Sequence, residues 1–364
     1  MYSLSTFEHQ LVMYVTSNDK QTFAAAFDVS TIPVVSQEQA LAEERTKKLT
    51  SATPTLKAPT AGPTKSKANG VAEAATAAAT QKYAEQLMQI PELKEYGTLL
   101  KSSVPVELSE SETEYVVTAV KHIFKEHVVL QYDIKNTLPD TVLEDVTVAA
   151  TPSEEDVLEE EFIVPAPKLA TNEPGIVYVT FKKLGGEHSV PVTSFTNVLK
   201  FTSKEIDPTT GEPEESGYDD EYQVEDLELT GSDYVIPTFA GSFDHVWEQT
   251  GANGEEISET LQLSNMKGIT GKTRRPGLYR QDANLPTDAT EQLISTLSLQ
   301  PLEGTDVALS NSTHTLKLFG KTVTGGRVAS LIKMAYSSKT GVTTKITVRA
   351  EEEGVASAVI ASVA

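Results

Sequence analysis

A chain of 364 residues is long enough for two domains and additional segments, and 39% hydrophobic residues supply ordinary cores. A formal charge of −22 excludes nucleic-acid binding, which needs clustered Lys and Arg, and leaves a protein of basic or mixed charge as the fitting partner. The absence of cysteine excludes disulfides, thiolate zinc sites and a Cys nucleophile.

Residues 1–35 open in strand-like sequence. Leu11–Val15 and Phe23–Val29 flank Ser17-Asn18-Asp19-Lys20, a hairpin or the tail of an upstream trunk. This opening lacks the apolar core of a signal peptide. No run in the chain approaches the roughly 20 apolar residues that span a bilayer, so a cytoplasmic location is expected. Residues 36–71 are rich in Ala, Thr, Lys and Pro and hold too few large apolar side chains to offset ordering. They begin a flexible linker that is read to run to residue 103. This part is locally basic, with Arg45, Lys47, Lys48, Lys57, Lys65 and Lys67. Within the linker, 72–90 has high helix propensity, and Tyr83, Leu87 and Ile90 form one stripe that Pro91 ends.

From 104 to 236 the pattern has period two. Val128, Leu130, Tyr132 and Ile134 point one way, and Val129, Gln131, Asp133 and Lys135 the other. Asp145–Ala149, Gly175–Phe181, Phe195–Phe201 and Tyr222–Leu229 read the same way, separated by Pro- and Gly-containing turns. Short strands without a helix predict a β-sandwich. From 237 to 364, helices are predicted at Ser242–Gln249 and Ala289–Leu299, the latter opened by Asp288 and Glu291 in a capping box. Strands follow at Thr315–Phe319, Val328–Ser337 and Val342–Arg349, making an α+β domain. The intervening 271–286 is a loop rich in Gly, Pro and Arg.

No catalytic, cofactor-binding or metal-binding residues emerge. The six histidines show no metal spacing, and neither a G-x-S-x-G elbow nor a P-loop occurs. The acidic runs Glu154–Glu161 and Glu205–Glu228 lack the ligand spacing of a calcium loop and read as solvated. Trp247, the single tryptophan, follows Phe243 at helical spacing. Such a Trp is ordinarily core. Exposed, it would wall a peptide-docking site, where Trp and Arg dominate binding energy. Lys333 and Arg349 lie on neighbouring predicted strands, as ordinary exposed charges or as cations on one face of the sheet.

Several stretches resemble the coatomer gamma family of the COPI vesicle coat. They are SETEYVVTAVKHIFKEHVVLQYDIKNTLPDTVLEDVTV (111–148), KFTSKEIDPTTGEPEESGYDDEYQVEDLEL (200–229), SFDHVWEQTG (242–251), NSTHTLKLFG (311–320), the terminal IASV and the 78–103 segment. The resemblance implies an immunoglobulin-like β-sandwich (104–236) followed by an α+β platform of the adaptor/coatomer appendage type (237–364). It implies no catalysis. It implies recruitment of an Arf GTPase-activating protein and other coat accessory proteins, beside other coatomer subunits, on Golgi membranes and COPI-coated vesicles. Membrane contact would be indirect, through the coat. Trp247 matches the tryptophan of the recruiting surface and Arg349 a basic residue beside it. Lys333 falls where relatives carry Arg, which keeps the charge and loses the planar fork. Two other classes stay open. A sandwich-type carbohydrate- or surface-binding module predicts an export signal and paired surface aromatics. An enzyme using paired carboxylates predicts acids inside an apolar cleft.

Overall fold

The computed structural model describes residues 80–363, except 155, 187, 264–267, 270–288 and 309. The readings of 1–35, 36–71, the first part of the 72–90 helix, Asp288 and the 271–286 loop lie outside the described residues. Among the described residues, no helix is long and apolar enough to cross a membrane.

Strands β1 (Lys101–Ser102), β2 (Val106–Glu107), β3 (Tyr115–Ile123), β4 (His127–Asn136), β5 (Thr141–Pro152), β6 (Leu158–Val164), β7 (Ala166–Leu169), β8 (Pro174–Lys183), β9 (Thr193–Glu205) and β10 (Tyr218–Leu229) form two sheets. One has the order β1-β3-β4-β8-β6 with β2 also on β3, and the other the order β10-β9-β5-β7. Pairing is antiparallel, with both faces closing on one core. Leu130, Tyr132 and Phe181 from the first sheet meet Leu143, Phe195 and Leu199 from the second. The Tyr132 hydroxyl finds its acceptor inside, donating to Asn197 Oδ1 at 2.6 Å. This is the β-sandwich expected from strand spacing, of the immunoglobulin-like type that the resemblance implies.

Alternation on β4 predicts one wet face. Val129 and Gln131 on that face are buried instead. Helix α1 (80–87) and the 3-10 turn Glu92–Tyr96 cross over them. Leu87, Leu93, Leu99 and Phe124 cluster there with Val129 and Tyr178. Gln86 Nε2 donates to the Tyr178 hydroxyl at 2.9 Å. Tyr96 stacks on His127 with centroids 3.8 Å apart and donates to Glu161 Oε2 at 2.6 Å. Residues 80–103 are therefore a strap packed on the sandwich, whereas the linker reading runs on to Ser103.

The third sheet uses β11 (Val235–Pro237), β12 (Glu255–Leu263), β13 (Gln300–Pro301), β14 (Thr313–Thr322), β15 (Arg327–Ser337) and β16 (Gly341–Ala350). Its order is β11-β14-β15-β16-β12, with β13 on β14. Helices α3 (Ala289–Leu297) and α4 (Val355–Ala361) cover one face, where Leu293, Leu297 and Val359 pack on Leu316, Ile332 and Ile346. Helix α2 (Phe243–Asn253) covers part of the other, where Phe243 and Val246 pack on Phe319 and Ala329. Helices thus lie on both faces of an antiparallel sheet, giving the α+β domain.

Sandwich and platform meet at the 3-10 turn Gly231–Tyr234. Lys101 on β1 donates to Ser232 O at 2.8 Å and Val235 O at 2.7 Å. Lys121 on β3 donates to Glu228 O and pairs with Asp233 Oδ2, both at 2.6 Å. On the far side, a Cβ at Gly231 would lie 2.3 Å from the Ala358 carbonyl carbon of α4. The turn is held by sandwich lysines on one side and the last platform helix on the other.

Candidate protein-docking site

Helix α2 directs Phe243 and Val246 inward, and the Thr250 hydroxyl returns to Val246 O at 2.7 Å. One turn after Phe243, Trp247 falls at the flank of the helix and is half-buried. Phe243 stacks on one part of the indole, with centroids 5.3 Å apart and planes at 27°. Arg349 from β16 supports it from the sheet, its Cζ 4.2 Å from the ring centroid, a cation–π distance.

Arg349 is itself fixed. Its Nη1 donates to Trp247 O at 2.9 Å, and its Nε donates to Glu256 Oε2 on β12 at 2.5 Å. The guanidinium reaches under α2 only because position 251 is glycine. A Cβ at Gly251 would lie 2.6 Å from Arg349 Nη1. Ser242 gives no side-chain cap to α2. Glu303 does that work from another loop, accepting the Phe243 N–H at 3.0 Å and Lys317 Nζ at 2.8 Å. Lys317, then that N–H, hold the Glu303 carboxyl below its usual range.

The fold brings Trp247 and Arg349 together. It does not bring Lys333 to the indole. Register pairs Ala329 with Arg349 and Lys333 with Lys345, so Lys333 shares the face of Arg349 but lies four residues further along β15. At strand rise that is about 13 Å. Lys333 is exposed and borders a groove of about 650 Å³ with Glu303, Val307 and His314. Reasoning from sequence missed Glu256, Gly251, Glu303 and Lys345. Only Lys345 left a signal there, at i−4 from Arg349 on one strand, hence on the same face. Among the described residues no group of three or more His, Asp or Glu side chains could hold a metal ion.

Two family models match the chain. The coatomer gamma subunit appendage platform subdomain matches residues 81–230, and the coatomer subunit gamma-1 C-terminal appendage platform matches 281–363. The probable coatomer subunit gamma of Schizosaccharomyces pombe is 36% identical over 365 residues, covering 100% of this chain and 37% of that protein. Coatomer subunit gamma-2 of Oryza sativa is 36% identical over 355 residues, covering 96% and 36%. Coatomer subunit gamma-2 of Homo sapiens is 38% identical over 282 residues, covering 77% and 30%. The chain thus spans about a third of the length of these curated relatives. Among solved structures, the yeast GGA1 GAE domain aligns over 35% of this chain and 98% of its own length, at 8% identity and a TM-score of 0.24, too slight a likeness to argue from. The chain belongs to the coatomer gamma family and carries its appendage region.

Proposed function

We propose that this chain is a non-enzymatic recruitment module of the COPI vesicle coat, binding an Arf GTPase-activating protein and other accessory proteins through the platform surface centred on Trp247. The observation that carries this reading is a partly buried indole with the Arg349 guanidinium carbon 4.2 Å from its ring centroid. A flexible segment of the partner lays an aromatic or aliphatic side chain on the indole. The chain works as a soluble part of the coat on Golgi membranes and COPI vesicles, between Golgi and endoplasmic reticulum, with other coatomer subunits supplying the membrane contact.

A non-enzymatic role is supported by where the acids lie. Glu159, Glu160, Asp219, Asp220 and Glu221 are all exposed rather than enclosed by apolar walls. The test is a pull-down from cytosol with Trp247→Ser. Losing an aromatic anchor costs about 2 kcal/mol of binding or more. Capture of the GTPase-activating protein is expected to disappear while the melting temperature stays nearly unchanged. Undiminished capture, or gross unfolding, refutes the reading.

A further inference from the structure

Where the sandwich meets the platform, a cleft of about 530 Å³ opens between β1, β3, the 231–234 turn and the last turn of α3. That is the volume of a small-ligand site, and such sites favour the junctions between folded units. The charged groups lining it are Lys101 from β1, Lys121 from β3 and Asp233 from the turn. Two ammoniums, each more than nine-tenths buried, thus share one carboxylate. An ammonium has three N–H groups to give. Lys101 spends two on Ser232 O and Val235 O, and Lys121 spends two on Glu228 O and Asp233 Oδ2. Among the described residues no group accepts the third of either. One buried positive charge is therefore left without a counter-charge, which is costly at low dielectric. The remaining lining is of two kinds. Val104, Val106, Ile294 and Leu299 make an apolar part, where Val104 is left 78% exposed. Ser295 and Thr296 belong to the last turn of α3, whose carbonyls lack partners within the helix.

We propose that this cleft binds the free C-terminus of a partner chain, with its carboxylate on Lys101 and Lys121 and its last, apolar side chain against Val104 and Leu299. A chain end carries a carboxylate, an apolar side chain and backbone N–H groups within one or two residues. Those match the spare ammonium N–H groups, the apolar part and the helix carbonyls in turn. A bare inorganic anion would meet the first and leave the other two unanswered. An acidic side chain sets its carboxylate away from the backbone and brings no apolar group beside it. The site lies at the junction, on other elements than Trp247, and does not depend on the docking reading above. Burial, with the repulsion of Lys121, holds Lys101 down at about 8 against the pull of Asp233, so a carboxylate binds the protonated form and takes up a proton as the pH rises.

The test uses the full chain and three fluorescent peptides labelled at the N-terminus. The first is Gly-Ser-Gly-Ser-Leu with a free carboxylate, and the second is the same peptide with a terminal amide. The third keeps the amide and replaces Leu by Glu. Anisotropy titration is expected to show the free acid binding wild type about tenfold tighter than its amide, the worth of a charged hydrogen bond. Between pH 7 and pH 9 that preference should fall about tenfold, as Lys101 gives up its proton. Lys101→Gln should erase both the preference and its pH dependence. Should Lys101→Gln fail to fold, Val104→Asp decides. It changes an exposed side chain, and should abolish binding of the free acid without moving the melting temperature. Trp247→Ser should leave all three titrations as they are. Equal binding of free acid and amide overturns the proposal. So does a preference that survives Val104→Asp, or one lost with Trp247→Ser, which would put the peptide on the indole. The Glu amide binding as tightly as the free acid overturns the chain end as ligand. No binding of any peptide overturns the site.

Discussion

His122 lies on β3 beneath the strap with 0% exposure, and both ring nitrogens have partners. Gln131 spends its amide N–H groups on Asp133, so its Oε1 faces the ring at 3.1 Å and accepts from Nε2–H. Nδ1 then accepts from the Ser102 hydroxyl at 2.8 Å. The neutral imidazole is fully satisfied. Burial pushes its pKa from 6.5 down to about 4, against the opposing pull of the Gln131 hydrogen bond. The sign follows. Between pH 6.5 and 4 the unfolded chain binds a proton that the folded chain refuses, so stability is whole above 6.5 and falls as acid is added. From pH 7 to pH 5 this one residue is expected to remove roughly 2 kcal/mol. Urea unfolding at the two pH values, with His122→Gln as the comparison, measures it. A variant that loses as much stability on acidification as wild type would show that another group is responsible. Composition could not have indicated this, because His122 and the exposed His245 look alike as letters. What separates them is the strap.

Helix α2 was legible as an element. Phe243, Val246 and Trp247 at helical spacing marked it, and the helix runs Phe243–Asn253. Strand β15 and strand β16 were likewise legible, because Val328, Ser330 and Ile332 alternate with residues of the other face. Strand β12 was not, since EEISETLQL at a sheet edge buries no side chain fully and so carries little pattern. With β12 unread, Glu256 and the anchoring of Arg349 could not be foreseen. The role of Gly251 was equally hidden, since it depends on a guanidinium reaching in from β16. Gly251→Ala is predicted to separate the site from the fold. The new methyl would lie 2.6 Å from Arg349 Nη1 and 2.8 Å from its Cζ, both near the end of a long side chain that can swing aside. Alanine also favours helix over glycine by about 1 kcal/mol. The melting temperature should therefore hold or rise while Arg349 leaves the indole. Trp247 is the single tryptophan, so emission reports it directly. A spectrum identical to wild type, with partner capture intact, would show that Arg349 tolerates the methyl in place.

At the scale of the whole molecule, the proposed docking face is carried by a platform that must be held against the sandwich. The four-residue turn Gly231–Tyr234 lies at that junction, where Val190 packs on both cores and Val323 on the sandwich core. The sequence marks the passage from strands to helices near residue 236, but not what holds it, because Lys101, Lys121 and Asp233 come from distant parts of the chain. Two ammoniums are buried there against one carboxylate. Burial, aided by Lys121, brings Lys101 down to about 8 against the pull of Asp233. Lys121 is the member in direct contact with Asp233, at 2.6 Å and with side-chain exposures of 8% and 9%. Asp233 also accepts the Thr230 N–H at 2.9 Å, closing the capping box of the turn. Removing one partner of a buried ion pair costs more than the pair contributes, because it leaves a charge without its counter-charge. Lys121→Met is therefore expected to lower unfolding free energy by about 3 kcal/mol. Adding Asp233→Asn should restore part of that, since the amide can keep the Thr230 contact and leaves no buried carboxylate uncompensated. Denaturant titration of the single and double variants measures the coupling. If the two losses simply add, the lysine and the carboxylate are not coupled and Lys121 acts through packing alone.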